Sequence, residues 1–226
     1  VGSEMCIRDR ALIVKGEPSG VALITVNSEG ENEIVVASGA NNLLTKAHLK
    51  SVSGLLKGAD IILTQLETPI PIVNQLADHC REFNQKLIIN PAPARNLPND
   101  ILEDLYLITP NETETRILTG IEVTDESSAI AACKAFFTKG VKNVIITMGS
   151  KGAFFMNREL HFTVKSQKVN AVDTTAAGDV FNGALAVCLS QNLSWKESIE
   201  FANKAASISV TKMGAQTSAP FLNEIN

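Results

Sequence analysis

The sequence lacks a surplus of positive charge, a long apolar run and any closely spaced pair of cysteines. Its 226 residues include 20 Lys and Arg against 24 Asp and Glu, which gives a net charge of −4 at pH 7. This balance argues against a nucleic-acid or anionic-membrane partner, because no basic excess is available to bind phosphates. No apolar run approaches the roughly 20 residues that a membrane-spanning helix needs. The cysteines, Cys6, Cys80, Cys133 and Cys188, are far apart, which is typical of reduced thiols in a cytoplasmic protein.

Two common nucleotide-binding motifs are also absent. The sequence contains no GxxxxGK[ST] motif, which excludes a P-loop enzyme, and no GxGxxG after a predicted strand, so a dinucleotide-binding Rossmann site has no support. The segment TMGSKG (147–152) offers small residues and a lysine after a strand. It is compatible with backbone contacts to a nucleotide, but alone it is a weak signal.

Segments with strand and helix patterns alternate from residue 11 onward. Several predicted strands, such as ADIILTQLE (59–67) and KLIIN (86–90), contain unbroken apolar runs. Such runs are typical of strands that are buried on both faces of a parallel sheet. Segments with helical spacing, such as DESSAIAACKAFFTKG (125–140), lie between them. The sequence therefore predicts an α/β fold: a doubly wound, mostly parallel sheet with helices on both faces.

The N-terminal part of this predicted domain has a different pattern. The segments GVALITVN (20–27) and NEIVVASG (32–39) are rich in β-formers and are separated by SEGE, which indicates an antiparallel hairpin. Residues 1–10 match no element that follows, and we expect them to be a tail or scar. The predicted domain therefore spans residues 11–226.

The loop DTTAAGD (173–179) has carboxylates at both ends and almost no side-chain bulk between them. If Asp179 lies at the start of a helix, the N–H groups from Ala176 to Asp179 form a natural anion site that a phosphate can approach closely. The Asp179 carboxylate could then accept a proton from an attacking hydroxyl group. The alternative is that Asp179 is a helix N-cap and Asp173 a turn former. Spacing alone leaves both interpretations open.

Polar residues also follow the predicted strands. Glu67 follows one apolar run, Asn90 follows the next, and TPNETE (109–114) and TMGSKG (147–152) follow two others. Because ligands of such sheets bind at the carboxyl ends of the strands, these residues and DTTAAGD are expected to line one site.

Six motifs follow one another along the chain: NPAPAR (90–95), TPNETE (109–114), TMGSKG (147–152), VDTTAAGDVFNGAL (172–185), FANKAASISV (201–210) and GAQTSAP (214–220). In this order they closely resemble the ribokinase branch of the PfkB-type sugar kinases. The resemblance covers residues 11 to about 225, and its most specific part is the Asp-Thr-x-Ala-Ala-Gly-Asp loop.

The resemblance implies a role for each acidic residue near this loop. Asp179 would be the catalytic base that deprotonates the primary hydroxyl of D-ribose for attack on the γ-phosphate of ATP, giving D-ribose 5-phosphate and ADP. Glu67 would hydrogen-bond the sugar, and Glu114 would influence Mg²⁺ binding through water. From the residues alone, a solvated strand end stays open for Glu67 and a helix first-turn acid for Glu114. The anion hole would be formed by the N–H groups of Ala176, Ala177, Gly178 and Asp179.

The resemblance also implies a nucleotide site and a K⁺ site. The positions that match nucleotide contacts are Asn111, Thr147, Met148, Gly149, Ser150, Lys151, Gly152, Gly178 and Asn203. The positions that match the K⁺ site are Asp173, Thr175, Ser209, Lys212, Gly214 and Ser218. Lys212 and Gly214 would contribute backbone carbonyls, since an ammonium group cannot ligate a cation.

The sequence departs from this family at its N-terminus. A ribokinase has a longer portion before the position of Ala11, and that portion carries most of the sugar-binding residues. The expectation is an N-terminally truncated ribokinase with a remnant of the β lid, whose full-length form would be a cytoplasmic homodimer. Two alternatives stay open: a kinase for another sugar or a nucleoside in the same family, and a catalytically incompetent nucleotide-binding fragment.

Overall fold

A computed structural model describes residues 13–26 and 32–225, so the predicted tail at residues 1–10 lies outside the described residues. The strands are β1 (Val21–Val26), β2 (Asn32–Ala37), β3 (Ile61–Thr64), β4 (Lys86–Ile89), β5 (Leu107–Ile108), β6 (Asn143–Thr147), β7 (Ala153–Met156) and β8 (His161–Val164). The α-helices are α1 (Lys46–Ser51), α2 (Ser53–Lys57), α3 (Ile70–Glu82), α4 (Asn99–Leu102), α5 (Glu112–Thr119), α6 (Glu126–Thr138), α7 (Ala177–Ser190), α8 (Trp195–Ser209) and α9 (Leu222–Ile225).

The main sheet has six strands in the order β3-β4-β5-β6-β7-β8. Strands β3 to β6 are parallel, and β7 and β8 are added as an antiparallel meander. Strands β1 and β2 form a separate antiparallel ribbon, in which Val21 lies opposite Ala37. The predicted mostly parallel sheet and the predicted N-terminal antiparallel element are both confirmed.

Helices cover the main sheet on both faces. Ile89 and Ile108 pack with α3 and α6 on one face, whereas Ile88 and Leu107 pack with α7 and α8 on the other. Neighbouring residues of a strand point to opposite faces, so an unbroken apolar run supplies both cores at once. Each fully buried large apolar side chain contributes about 1.5–3 kcal/mol. Burial of the strands on both faces therefore produces the doubly wound arrangement that the apolar runs predicted.

The strand predicted over 59–67 is shorter than the sequence indicated. Strand β3 ends at Thr64, three residues before Glu67, because the N–H of Leu66 donates to the carbonyl of Ala92 (2.9 Å) and draws the chain out of the ladder. Residues 46–57 form the two short helices α1 and α2, which meet at Val52. Helix α7 begins at Ala177. Asp179 therefore lies in its first turn.

Across the residues that the structure describes, we find no helix with both the length and the apolar character needed to cross a bilayer.

Candidate active site

The DTTAAGD loop leads into the start of helix α7, where the N-cap position is an alanine. Ala176 is the N-cap residue of α7, has left-handed backbone angles (φ 59°, ψ 10°) and makes no side-chain cap hydrogen bond. A left-handed residue followed by helical ones turns successive N–H groups toward one point, which creates a concave anion site. Asp179 is the third residue of the helix, so the alternative that it is the N-cap is wrong. The N–H of Ala177 makes a long hydrogen bond to the carbonyl of Thr174 (3.3 Å).

Asp179 faces the loop that follows β3. The side-chain amide of Gln65 donates a hydrogen bond to Oδ1 of Asp179, and the carboxylate of Glu67 lies near enough to repel its charge. The surrounding protein desolvates Asp179, which raises its pKa, and Glu67 raises it further, while the Gln65 hydrogen bond partly offsets both effects. A carboxyl group with a raised pKa is a stronger base than an ordinary aspartate. A mostly apolar cavity of about 700 Å³ opens beside Asp179 and Ala176.

Two substitutions should shift the pKa of Asp179 in opposite directions. Gln65→Leu removes a hydrogen bond that favours the ionised form, so the pKa of Asp179 should rise. Glu67→Gln removes a negative charge, so the pKa should fall. The measurement is a pH titration of the Asp179 carboxyl carbon by NMR in each variant. Shifts in the same direction would contradict the arrangement of these three side chains.

Asp173 ties the loop to the segment that follows α8. Its Oδ1 accepts the N–H of Thr175 (2.9 Å), and its Oδ2 accepts the N–H of Gly214 (2.9 Å). The hydroxyl of Thr175 and these N–H groups lower the pKa of Asp173, so it is ionised at neutral pH. The local bond to Thr175 is an Asx turn, so the predicted turn-forming role is observed. Asp173 is therefore in direct contact with two other residues predicted for the K⁺ site, Thr175 and Gly214.

The other three lie in the same segment. Lys212 donates its N–H to the carbonyl of Ser209 (3.0 Å), and the hydroxyl of Ser218 donates to the carbonyl of Ala215 (2.7 Å). The Lys212 ammonium group pairs with Glu224 (2.6 Å). The Lys212 ammonium group is therefore engaged in an ion pair, and the predicted cation role of its backbone carbonyl stays a prediction.

The residues predicted to contact a nucleotide surround the ends of β5 and β6. Asn111 and Thr147 form a parallel β-bridge, and Lys151 forms an ion pair with Glu112 (3.0 Å) that holds the 149–151 turn against α5. The carbonyl of Gly152 accepts the N–H of Met148 (2.8 Å). The structure therefore brings Asn111 and the 147–152 loop together.

Asn203 and Gly152 meet at the end of β8. The amide of Asn203 is buried and donates to the carbonyl of Val164 (3.0 Å). Gly152 packs so closely on the same segment that a Cβ there would lie 2.0 Å from the Val164 oxygen. The structure gives both residues packing roles beside the predicted nucleotide loop.

Glu114 takes part in a capping box at the start of α5. Its Oε2 accepts the N–H of Asn111 (2.8 Å), and the Asn111 side chain accepts the N–H of Glu114 (2.8 Å). Desolvation raises the pKa of Glu114, and the hydrogen bond from Asn111 partly offsets this. Glu114 is therefore an acidic residue in the first turn of a helix, which is the structural role that the sequence left open.

Sequence reasoning gave no specific role to four residues of this site. Gln65 hydrogen-bonds Asp179, and the side-chain nitrogen of Asn90 lies 4.0 Å from the point where a Cβ on residue 178 would be. Thr109 and Asn182 hydrogen-bond each other beneath the loop. Asn90 was recognisable as a polar strand end and Gln65 as the residue directly after β3. For Thr109 and Asn182 the available signal was membership of the TPNETE and VDTTAAGDVFNGAL motifs.

Comparison with known proteins gives consistent matches. Residues 7–222 match the pfkB family of carbohydrate kinases. The chain is 44% identical to the ribokinase of Haemophilus influenzae over 211 residues, which are 93% of this chain and 69% of that protein. It is 39% identical to the solved ribokinase of Thermotoga maritima, with a TM-score of 0.81, covering 92% of this chain and 69% of that one. It is 30% identical to an Arabidopsis thaliana ribokinase solved with ribose and ATP, with a TM-score of 0.84, covering 93% of this chain and 69% of that one.

Proposed function

Because this chain belongs to the pfkB family of carbohydrate kinases, we propose that it transfers the γ-phosphoryl group of ATP to the primary hydroxyl of D-ribose. The products would be D-ribose 5-phosphate and ADP. The observation that carries this proposal is the position of Asp179 in the first turn of a helix whose N-cap is a left-handed alanine, with its carboxylate bonded to Gln65 and under the charge of Glu67. The acceptor is proposed because the relatives that match over most of this chain are ribokinases.

Asp179 is the proposed catalytic base. Its carboxylate accepts the proton of the primary hydroxyl as the hydroxyl oxygen attacks the γ-phosphorus and the bond to the ADP oxygen breaks. The N–H groups from Ala176 to Asp179 stabilise the charge on the transferred group. Glu67, whose charge raises the pKa of Asp179, is the proposed hydrogen-bond partner of another hydroxyl of the sugar.

The nucleotide is proposed to bind between Asn111, the 147–152 loop and the region of Asn203. The bridge between Asn111 and Thr147 and the ion pair between Lys151 and Glu112 support this, because they hold two sheet-end segments side by side. Mg²⁺, when bound, neutralises the charge of the phosphates. The capping box uses Oε2 of Glu114, so Oε1 is the atom proposed to reach a magnesium-bound water.

K⁺ is proposed to bind beside the anion hole, between Asp173 and the segment from Ser209 to Ser218. The carboxylate of Asp173, which is held to this segment by the N–H of Gly214, and the backbone carbonyls of the segment would supply oxygen ligands only. Hard cations prefer such sets. The cation would then fix the DTTAAGD loop to the end of α8.

We also propose a cellular location and an assembly for the enzyme. ATP is the phosphoryl donor, so we place the reaction in the cytoplasm. We also expect two copies to pair through the β1–β2 ribbon, since Leu23 and Val35 expose 67% and 62% of their surface there.

The test of this function is ADP release by the 226-residue protein with Mg-ATP and K⁺, with and without D-ribose. Ribose-dependent release is the expected result, and the reaction without sugar measures background ATP hydrolysis. Faster release with fructose or adenosine would assign another acceptor within the family. ATP binding with no release for any acceptor would favour the non-catalytic alternative.

Replacing K⁺ by Na⁺ should lower kcat by about tenfold, which corresponds to about 1.4 kcal/mol of transition-state stabilisation. In Asp173→Asn this difference between the two cations should disappear, because the variant lacks the charged ligand. The measurement is kcat in matched chloride salts of constant ionic strength. Glu197→Gln is the control: Glu197 accepts the N–H of Ser194 (3.0 Å) at the opposite end of α8, so the cation ratio should stay unchanged. Equal rates in both salts for the unmodified protein would contradict the K⁺ site.

A further inference from the structure

We infer that Asn182 and Thr109 are positioning residues, which orient and polarise the peptide group between Gly178 and Asp179. This inference rests on the proposed function, because that peptide carries an N–H group assigned above to the anion hole. Neither residue would touch the substrate. They would act through the backbone of the first turn of α7.

Two hydrogen bonds connect the end of β5 with the start of α7. The hydroxyl of Thr109 donates to Oδ1 of Asn182 (2.7 Å), and Nδ2 of Asn182 donates to the carbonyl of Gly178 (2.8 Å). Thr109 exposes 2% of its surface and Asn182 exposes 3%. In a buried setting these bonds exchange little with water, so the connection is well defined.

The second bond acts on the group that matters for catalysis. The carbonyl of Gly178 and the N–H of Asp179 belong to one planar peptide unit. Fixing the direction of the carbonyl therefore fixes the direction of the N–H, which points the opposite way. A hydrogen bond accepted by the carbonyl also polarises the unit and strengthens the N–H as a donor. Asn182 would thus strengthen the hydrogen bond to the transferred phosphoryl group without approaching it.

The first bond determines which way the Asn182 amide is turned. The Thr109 hydroxyl presents a donor to Oδ1, so the amide must present Nδ2 to Gly178. Thr109 is itself held to the centre of the sheet, since its N–H donates to the carbonyl of Ile89 (3.0 Å). The orientation of the anion-hole peptide therefore depends on the parallel strands β4 and β5 as well as on the loop.

A buried asparagine could also serve stability alone, and the chain offers a matched control for this. The side chain of Asn143 is buried to a similar degree, exposing 8%, and its Nδ2 donates to the carbonyl of Tyr106 (2.7 Å). Asn143 is the first residue of β6, at the opposite end of the sheet from Asp179. Asn143→Leu and Asn182→Leu therefore remove the same kind of bond at opposite ends of the domain.

The experiment compares kcat, the KM for ribose and the proton chemical shift of the Asp179 amide in both variants, with urea unfolding as the measure of stability. Asn182→Leu should lower kcat at least tenfold with little change in the KM for ribose, and should move the Asp179 amide signal upfield. Asn143→Leu should lose comparable stability while it keeps kcat and the amide shift. A loss of kcat that is equal in the two variants would overturn the inference, as would an unchanged amide shift in Asn182→Leu.

The pair Thr109→Val and Thr109→Ser provides a second test if Asn182→Leu does not fold. Thr109→Val removes the donor that orients the amide, so kcat should fall, and Thr109→Ser should restore it. Equal kcat in the two variants would overturn the role of Thr109. If the unmodified protein releases no ADP with ribose, the proposed function fails, but the Asp179 amide shift still tests the positioning directly.

Discussion

Asp179→Asn is expected to lower kcat for ribose phosphorylation by about 10²- to 10⁴-fold, the usual contribution of a general base. Asparagine has nearly the same shape, keeps an oxygen for the Gln65 amide and leaves the backbone N–H groups of α7 in place. It cannot accept the proton of the attacking hydroxyl. The affinity for ATP should therefore stay nearly unchanged while turnover is lost.

Steady-state kinetics and calorimetric ATP titration together check this prediction. The rate of the unmodified enzyme should also fall as the pH drops through the raised pKa of Asp179, because only the ionised form accepts a proton. This acid limb should be absent in Asp179→Asn. Glu67→Gln serves as the comparison: it should weaken ribose binding and move the acid limb to lower pH while most of the turnover remains. Near-normal turnover in Asp179→Asn would show that Asp179 is not the catalytic base.

The strands and the helix start could be predicted because their signals are local. An unbroken apolar run such as KLII reflects burial on both faces. The small residues before Asp179 reflect a backbone that must be approached closely. Residue type and spacing were therefore enough to place Asp179 at a helix start and to predict the mostly parallel sheet.

The partners of these residues could not be predicted, because they depend on strand order and side-chain direction. Gln65 reaches Asp179 across 114 positions, and Thr109 reaches Asn182 across 73 positions. No spacing rule encodes such separations. Asn203 shows the same limit in another form, since its motif indicated a functional position but its amide is bound to the carbonyl of Val164.

Gly152→Ala is expected to destabilise the fold by about 3–5 kcal/mol, at the upper end of what single substitutions cost. Two effects combine at this position. The backbone has φ +100°, which is strained for any L-residue, and the new Cβ would lie 2.0 Å from the Val164 oxygen and 2.7 Å from the Ser166 nitrogen. Either β8 or the 149–152 turn must therefore move. ATP affinity should fall as well, since Gly152 anchors that turn through the N–H of Met148.

Gly120→Ala separates the two effects. Gly120 also has positive φ (+77°), at the end of α5, but a Cβ there meets no atom within 4 Å. It should lose only about 1–2 kcal/mol from backbone strain. The free energy of unfolding of both variants is measured by urea titration. Unfolding is followed by the fluorescence of Trp195, whose ring stacks on that of Phe155 in β7 with the ring centres 4.6 Å apart. A much larger loss for Gly152→Ala would show that close packing against β8 is what requires glycine in this loop. Equal losses would mean that the backbone angle alone requires it, and that the loop can move away from Val164 without disturbing the nucleotide site.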